Sequence, residues 1–246
     1  MYNQTRSGRP PTRVQHGLVT SPHYIASSTG LDILRDGGSA VDAAIATNAT
    51  LCVVYPHMAG LGGDGFWLLS DGDEEVEAIN ASGPAGKAAS QSYYAELGYD
   101  EIPERGSASA LTVPGAIDGW RLAHKKYGKL SWERLFEDAI MHAREGVSMS
   151  DDFTRWISLD ADLLAEDPIA AETFLTDGAA PEVGMMLRQP KLADSLETIA
   201  QLGPRKGFYD GSVAEAFCEG LGEESPLTVT DFSQYHADWV EPISID

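Results

Sequence analysis

The stretch GLGGDGFWLL, residues 60–69, decides the fold, because it admits two incompatible readings. Gly60, Gly62 and Gly65 spell G-x-G-x-x-G, the pattern of a dinucleotide-binding turn. That turn requires a strand, then the glycines, then a helix whose N-terminus faces the pyrophosphate. Here the order is reversed. An alanine-rich, helix-like segment precedes the loop, and FWLLS and EVEAIN, joined by the turn DGDE, follow it as a β-hairpin over about 66–80. The acidic residue that would hold a ribose about 20 positions on is also missing, since Asn80–Gly83 occupies that place. A nucleotide is therefore not expected. The loop Gly60, Gly62, Gly63, Asp64, Gly65 either lines a pocket or serves only as a tight turn, through positive φ and close backbone approach. Both readings stay open.

Upstream of the loop, helix signals start near Pro22 and stop at the DGG of Asp36–Gly38. A second helix is predicted from Ser39 to about Val53, where frequent alanine suits a buried element. Downstream the chain is helical. Pro114 opens a segment reaching residue 127. Ser131 is expected to cap a helix whose Trp132, Leu135, Phe136, Ala139, Ile140 and Ala143 form one apolar stripe ending at Gly146. A similar pattern covers 190–201, and Asp210 is expected to cap the segment carrying Val213, Ala216, Phe217 and Leu221. The last twenty residues read as a short helix and an entering strand, the chain stopping inside that strand. No internal repeat or low-complexity segment is found.

Composition narrows the function classes. The chain has 246 residues, 43% hydrophobic and 22% charged, enough for a real core. Its net charge is −21, which repels phosphate backbones and anionic lipid, so neither nucleic acid nor a membrane surface is an expected partner. Only 6 of its 17 basic residues are Lys, a balance compatible with a salt-adapted host but equally with an ordinary acidic enzyme. The first 16 residues are polar and read as a flexible arm without the apolar core of a signal peptide, so a cytoplasmic protein is expected. Cys52 and Cys218 read as buried thiols. None of the six histidines stands at metal-ligand spacing, and no metal site is expected; His57 is singled out only because it abuts the glycine loop. The adjacent carboxylates Asp151/Asp152 and Glu74/Glu75 read as solvated faces. Neither a G-x-S-x-G elbow nor an S-x-x-K is present.

The order of four blocks says more than any motif. SPHYIASSTGLDILRDGGSAVDAAIATNATLCVVYPHMAGLGGDGFWLL, then LTVPGAIDGWRLAHKKYGKLSWERLFEDAIMHAREGVSMS, then LRQPKLADSLETIAQLGPRKGFYDGSVAEAF and LTVTDFSQYHADWVEP, resemble successive blocks of the gamma-glutamyltranspeptidase large subunit. The resemblance covers roughly residues 17–246. It implies an α+β fold, the αββα sandwich of N-terminal-nucleophile hydrolases, with this chain as its helix-rich, incomplete first part. It also implies a precursor that cuts itself before a Thr. That Thr then supplies both hydroxyl nucleophile and amine base for attack on a γ-glutamyl or related small amide. An acyl-enzyme follows and is released to water or to an amine. Neither a metal nor an organic cofactor is implied. The implied partners are the rest of the large subunit and the small subunit that carries the Thr.

Two departures from the family pattern matter. The Thr is expected beyond Asp246, because Thr228 and Thr230 belong to the LTVTDFSQY block and look like helix caps. The chain by itself then carries no catalytic residue. It is either part of a processed enzyme or a truncated, non-catalytic module with a structural or interaction role. Secondly, family members that use glutathione carry an Arg in F-R-E-x-A-P that grips the substrate's α-carboxylate. Aligned on Pro84, that place is Asn80, in INASGPAG, and Asn80 and Ser82 become the expected substrate contacts. Exchanging a bidentate charged fork for a neutral amide should cost about 2–4 kcal/mol in carboxylate binding. The N-x-S-G pattern resembles the branch that includes oxamate amidohydrolases and acylase-like members.

Overall fold

The protein is described here as a computed structural model covering residues 12–72 and 75–245. Most of the expected arm, residues 1–11, lies outside the described residues, as do Asp73 and Glu74 of the expected hairpin turn.

Two packed helices lead. Helix α1 (Tyr24–Arg35) is capped by the His23 ring, whose Nδ1 accepts from the Ile25 N–H at 3.3 Å. It stops where Gly37 takes φ 89°. Helix α2 (Ala40–Val54) opens with a reciprocal capping box: the Asp42 N–H donates to Ser39 Oγ (3.0 Å) and the Ser39 N–H to Asp42 Oδ2 (2.8 Å). Asp42 is fully buried, and the same carboxylate oxygen accepts from the N–H groups of Lys129 and Leu130. α1 and α2 touch through Gly30, where a Cβ would stand 2.2 Å from Thr47 Oγ1. The bare backbone of Gly30 makes that approach possible.

The period then changes as the sequence requires. β1 (Gly65–Leu69) pairs antiparallel with β2 (Glu77–Ala81), from Gly65 opposite Ala81 to Leu69 opposite Glu77. α3 (Gln91–Glu96) is short, and α4 (Ala116–Tyr127) lays Ile117, Trp120 and Ala123 into the core. The predicted apolar stripe begins not as an α-helix but as a 3-10 turn, Glu133–Phe136, continuing into α5 (Glu137–Glu145). Ser131 Oγ reaches the Arg134 N–H only at 3.4 Å, so this cap is weak. Leu135, Phe136, Ala139 and Ala143 are buried, as the stripe demands.

β3 (Val147–Ser148) pairs with β4 (Met186–Leu187), and between them run α6 (Asp151–Leu159), α7 (Ala161–Glu166) and α8 (Pro168–Phe174). α9 (Pro190–Pro204) breaks at Gly203, φ 75°, into a π-helical turn, Arg205–Tyr209. α10 (Ser212–Leu221), α11 (Val229–Gln234) and β5 (Asp238–Val240) complete the order. Strand β5 pairs with β2, giving the sheet order β1-β2-β5.

Two expected caps are corrected. Gly211 precedes α10 without a side-chain cap, and Asp210 instead accepts from the Arg205 guanidinium at 3.1 Å to each oxygen. Thr228 does cap α11, through a box with Asp231, but Thr230 lies inside the helix. Cys52 is buried, which pushes its thiol up to about 12, whereas Cys218 is only partly covered. The core is one continuous cluster of α1, α2, α4, α5 and α9 against one face of the sheet. Among the described residues no helix is long and apolar enough to cross a membrane.

Candidate functional site

The glycine loop is a tight turn whose carbonyl groups reach outward. The Gly63 N–H donates to the Gly60 carbonyl at 3.2 Å, and the Gly63 carbonyl accepts from both Gly115 and Ala116 N–H groups at 3.0 Å. The loop is thus stapled to the first turn of α4. None of Gly60, Gly62, Gly63 and Gly65 has a positive φ, contrary to expectation. Their lack of a side chain matters modestly: a Cβ on Gly62 would stand 3.2 Å from the Phe217 ring, and one on Gly65 would make ordinary contact with Ala116.

The sharper constraints fall on glycines that the sequence did not single out. A Cβ on Gly83 would lie 1.6 Å from the Val113 carbonyl oxygen, and one on Gly115 would lie 1.9 Å from that of Ala81. No atoms can sit that close, so the end of β2 and the entry to α4 can meet only as bare backbone. The Val113 N–H to Pro84 carbonyl bond, 2.9 Å, holds the crossing. Their only trace in the sequence is a glycine beside a proline, in SGP and PGA.

Asp64 joins the loop to this crossing, its Oδ1 accepting from the Gly83 N–H at 3.3 Å. Asn80 and Ser82 stand at the same place. Asn80 Oδ1 accepts from the Ser82 N–H (3.0 Å) and from the Ser82 hydroxyl (2.7 Å). Asn80 is exposed on the open face of the sheet, in one row with Phe66 on β1 and Asp238 on β5. Beside the junction lies a cleft of about 310 Å³, lined by Asn48, Asp64, Gly65, Phe66 and Trp120 among others. Of the expected site residues, Asp64 and Gly65 line it; Asn80, Ser82 and the other loop glycines do not.

The support beneath is buried and fully paired. The Asp118 carboxylate, inaccessible to solvent, receives both arms of Arg121 (2.6 and 3.0 Å) and the Ala237 N–H (2.7 Å). The Tyr209 hydroxyl donates to the Pro114 carbonyl at 2.7 Å and accepts from the Asp118 N–H at 3.1 Å. Burial, then the carboxylates of Asp118, Asp64 and Asp238, push the Tyr235 phenol up to about 12. The field at the Tyr235 hydroxyl is negative.

His57 belongs elsewhere. Its ring stacks on Phe153 (5.0 Å) and lies tilted against Tyr55 (4.2 Å), with Nε2 3.4 Å from Asp152 Oδ2. Burial lowers its pKa, and Asp152 opposes that shift. Asp152 is exposed, as read, but has this contact across the chain. Among the described residues no group of three or more His, Cys, Asp or Glu is placed to hold a metal.

The family model for gamma-glutamyltranspeptidase matches residues 26–246. The chain is 42% identical over 231 residues to the glutathione hydrolase-like YwrD proenzyme of Bacillus subtilis, covering 93% of this chain and 43% of that protein. It is 39% identical over 236 residues to the oxamate amidohydrolase proenzyme of Klebsiella pneumoniae, covering 94% and 44%. The Helicobacter pylori gamma-glutamyltranspeptidase structure superposes with a TM-score of 0.88 at 29% identity, over 95% of this chain and 68% of that one. The chain therefore spans less than half the length of the two curated relatives and carries part of the fold of the solved enzyme.

Proposed function

The chain belongs to the gamma-glutamyltranspeptidase family, and we propose from that membership that it is the first part of an amidohydrolase or acyltransferase whose Thr nucleophile lies beyond Asp246. In that reading a precursor cuts itself before the Thr, and the freed α-amine serves as base for the adjacent hydroxyl. The hydroxyl oxygen attacks the amide carbonyl, the amine leaves with a proton, and water or a second amine takes the acyl group. Asn80 and Ser82 contact the substrate at the end of β2, and the loop from Gly60 to Gly65 carries Asp64 to the rim of the cleft. The observation that carries this reading is the junction itself. Four separate pieces of the chain, the loop, the β2 end, the α4 entry and Tyr235, are locked to one another, and the loop brings Asp64 and Gly65 into the lining of the cleft beside them.

The open sheet face supports the need for further chain. Phe66 and Leu68 on β1 are 73% and 75% exposed, and Val240 on β5, 42% exposed, shares their face across Ala78 of β2. An apolar strip of that kind is ordinarily covered. The remaining large-subunit segment and the small subunit are the proposed cover, and a small amide is the proposed substrate. Glutathione is expected to be a poor one, because Asn80 stands where a carboxylate-gripping Arg would be. The test is intact mass spectrometry of the complete protein under denaturing conditions, followed by assays on glutathione and a panel of small amides. Two polypeptides, one starting with Thr, and turnover of a neutral amide are expected. A single uncut chain without turnover refutes the reading and leaves a non-catalytic module.

A further inference from the structure

The hydrogen bonds at the end of β2 fix which way Asn80 can be used. A backbone N–H can only donate, so the Asn80 atom facing the Ser82 N–H at 3.0 Å is its carbonyl oxygen. That oxygen also takes the Ser82 hydroxyl proton at 2.7 Å. Both of its lone pairs are then engaged, and only the two Nδ2 protons remain to meet a substrate. Ser82 Oγ has given away its single proton and is left as an acceptor. The pair thus presents a donor and an acceptor next to each other, without a charge.

The surroundings push the same way. Asp238 stands directly across from Asn80 on β5, and Asp64 binds the Gly83 N–H. Three cations of the neighbouring elements are paired with carboxylates, Arg121 with Asp118, Arg205 with Asp210 and Lys126 with Glu77, while Lys87 reaches the neutral Gln234 amide. A carboxylate arriving at Asn80 would find its donor but meet the Ser82 lone pairs and two like charges. A primary carboxamide has one acceptor and one donor edge and fits the pair without rearrangement. We propose that Asn80 and Ser82 form a specificity element that selects a neutral carboxamide over a carboxylate on the substrate's acyl part, Asn80 supplying the donor and Ser82 both the acceptor and the backbone N–H that orients Asn80. This rests on the amidohydrolase reading above and narrows its substrate class.

The test uses the complete, processed protein with two probes of matched shape, γ-glutamyl p-nitroanilide and its α-carboxamide analogue. Leaving one hydrogen-bonding edge mismatched at a partly solvated site predicts a kcat/KM preference of about 10-fold for the carboxamide. Ser82→Ala keeps the backbone N–H that holds Asn80 Oδ1 but removes the Oγ acceptor offered to the carboxamide's donor edge, and should bring the ratio toward unity, chiefly through KM. Ser82→Thr, which keeps the hydroxyl, should restore it. Asn80→Arg should reverse the preference. Thermal midpoints of all three variants report whether they fold, and the ratio is read only within folded protein. A wild-type preference for the carboxylate, or a ratio that Ser82→Ala leaves unchanged, overturns the inference while the amidohydrolase reading stands. Absence of turnover on both probes, with no Thr-led polypeptide, overturns both.

Discussion

Replacing Tyr209 by Phe tests whether the buried network under the junction stabilises the fold through one hydroxyl. The ring is 1% exposed and packs against Phe208, Phe232 and Tyr235, contacts that Phe retains. What disappears is the donor to the Pro114 carbonyl at 2.7 Å and the acceptor for the Asp118 N–H at 3.1 Å. The two losses are unequal. The Asp118 N–H keeps the Gly115 carbonyl at 3.1 Å, while the buried Pro114 carbonyl loses its hydroxyl partner. A buried acceptor left without a partner costs about 1–3 kcal/mol. The upper half of that range is expected, because the carbonyl is buried and the bond it loses is short, 2.7 Å. A loss near 2 kcal/mol is about 30-fold in the folding equilibrium and a sizeable share of a total of roughly 5–15 kcal/mol. Equilibrium urea unfolding, followed by fluorescence and circular dichroism, measures it from a shifted midpoint at unchanged slope. Tyr235→Phe is the internal comparison. Its hydroxyl reaches the Ser82 carbonyl only at 3.5 Å, and its loss should cost under about 1 kcal/mol. A Tyr209→Phe cost below about 0.5 kcal/mol, or one smaller than that of Tyr235→Phe, refutes the reasoning, since the ranking follows from geometry alone.

Three further outcomes are expected. Gly83→Ala should lower soluble yield and the thermal midpoint sharply, because its Cβ meets the Val113 carbonyl, whereas Gly62→Ala, which meets only a ring edge, should be mild; equal effects would show that the crossing is loose. His23, His57 and His142 all have pKa values lowered first by desolvation, so the unfolded chain binds more protons below its ordinary histidine pKa of about 6.5. Stability from these groups is complete above that pH and is lost as pH falls below it. His57→Phe keeps the stacking, so its unfolding midpoint should fall less between about pH 7 and 5 than that of the unmodified protein; parallel curves would mean that His57 is not desolvated. Finally, a net charge of −21 implies self-repulsion that raising salt from about 0.1 to 1 M should relieve, as the screening length shrinks from about 10 to 3 Å. A midpoint that rises with KCl fits that account, and a flat or falling one contradicts it.

The local parts of this fold were readable because their causes are local. The capping box of Ser39 and Asp42 lies within one turn, Gly37 ends α1 by taking φ 89°, and the change of period after Gly65 marks a hairpin. Residues 151–174 escaped for the opposite reason. Helices α7 and α8 bury no residue fully, so no apolar stripe betrays them. What holds the ends there is polar: Ser150 caps α6, and Asp167 accepts from the Ile169 and Ala170 N–H groups at the start of α8. The Asp-Pro pair at 167–168 was a usable signal. Asp210 shows the converse error, a residue of capping type two positions before α10 whose carboxylate a nearby guanidinium has already claimed.

The candidate site divides along the same line. The Asn80 to Ser82 bonds span two residues, so the polarity of that amide follows from N-x-S at a strand end and lay within reach of the sequence. Its electrostatic setting did not. Asp238 comes beside Asn80 only because β5 pairs with β2, and Asp64 comes near only through the Gly83 N–H. The glycines make the same point. G-x-G-x-x-G drew the eye to three positions where a Cβ would meet nothing worse than a neighbour to nudge, while Gly83 and Gly115, where it would strike backbone, carry no motif. A glycine's importance depends on what passes over it, and here that is a strand end crossing a helix entry far along the chain. It follows that exchanging Asn80 alone for Arg alters one hydrogen-bonding partner and leaves the acidic frame of Asp64 and Asp238 intact. A carboxylate-binding site of full strength would require neutralising that frame as well, with Asp238→Asn added to Asn80→Arg binding a carboxylate more tightly than either change alone.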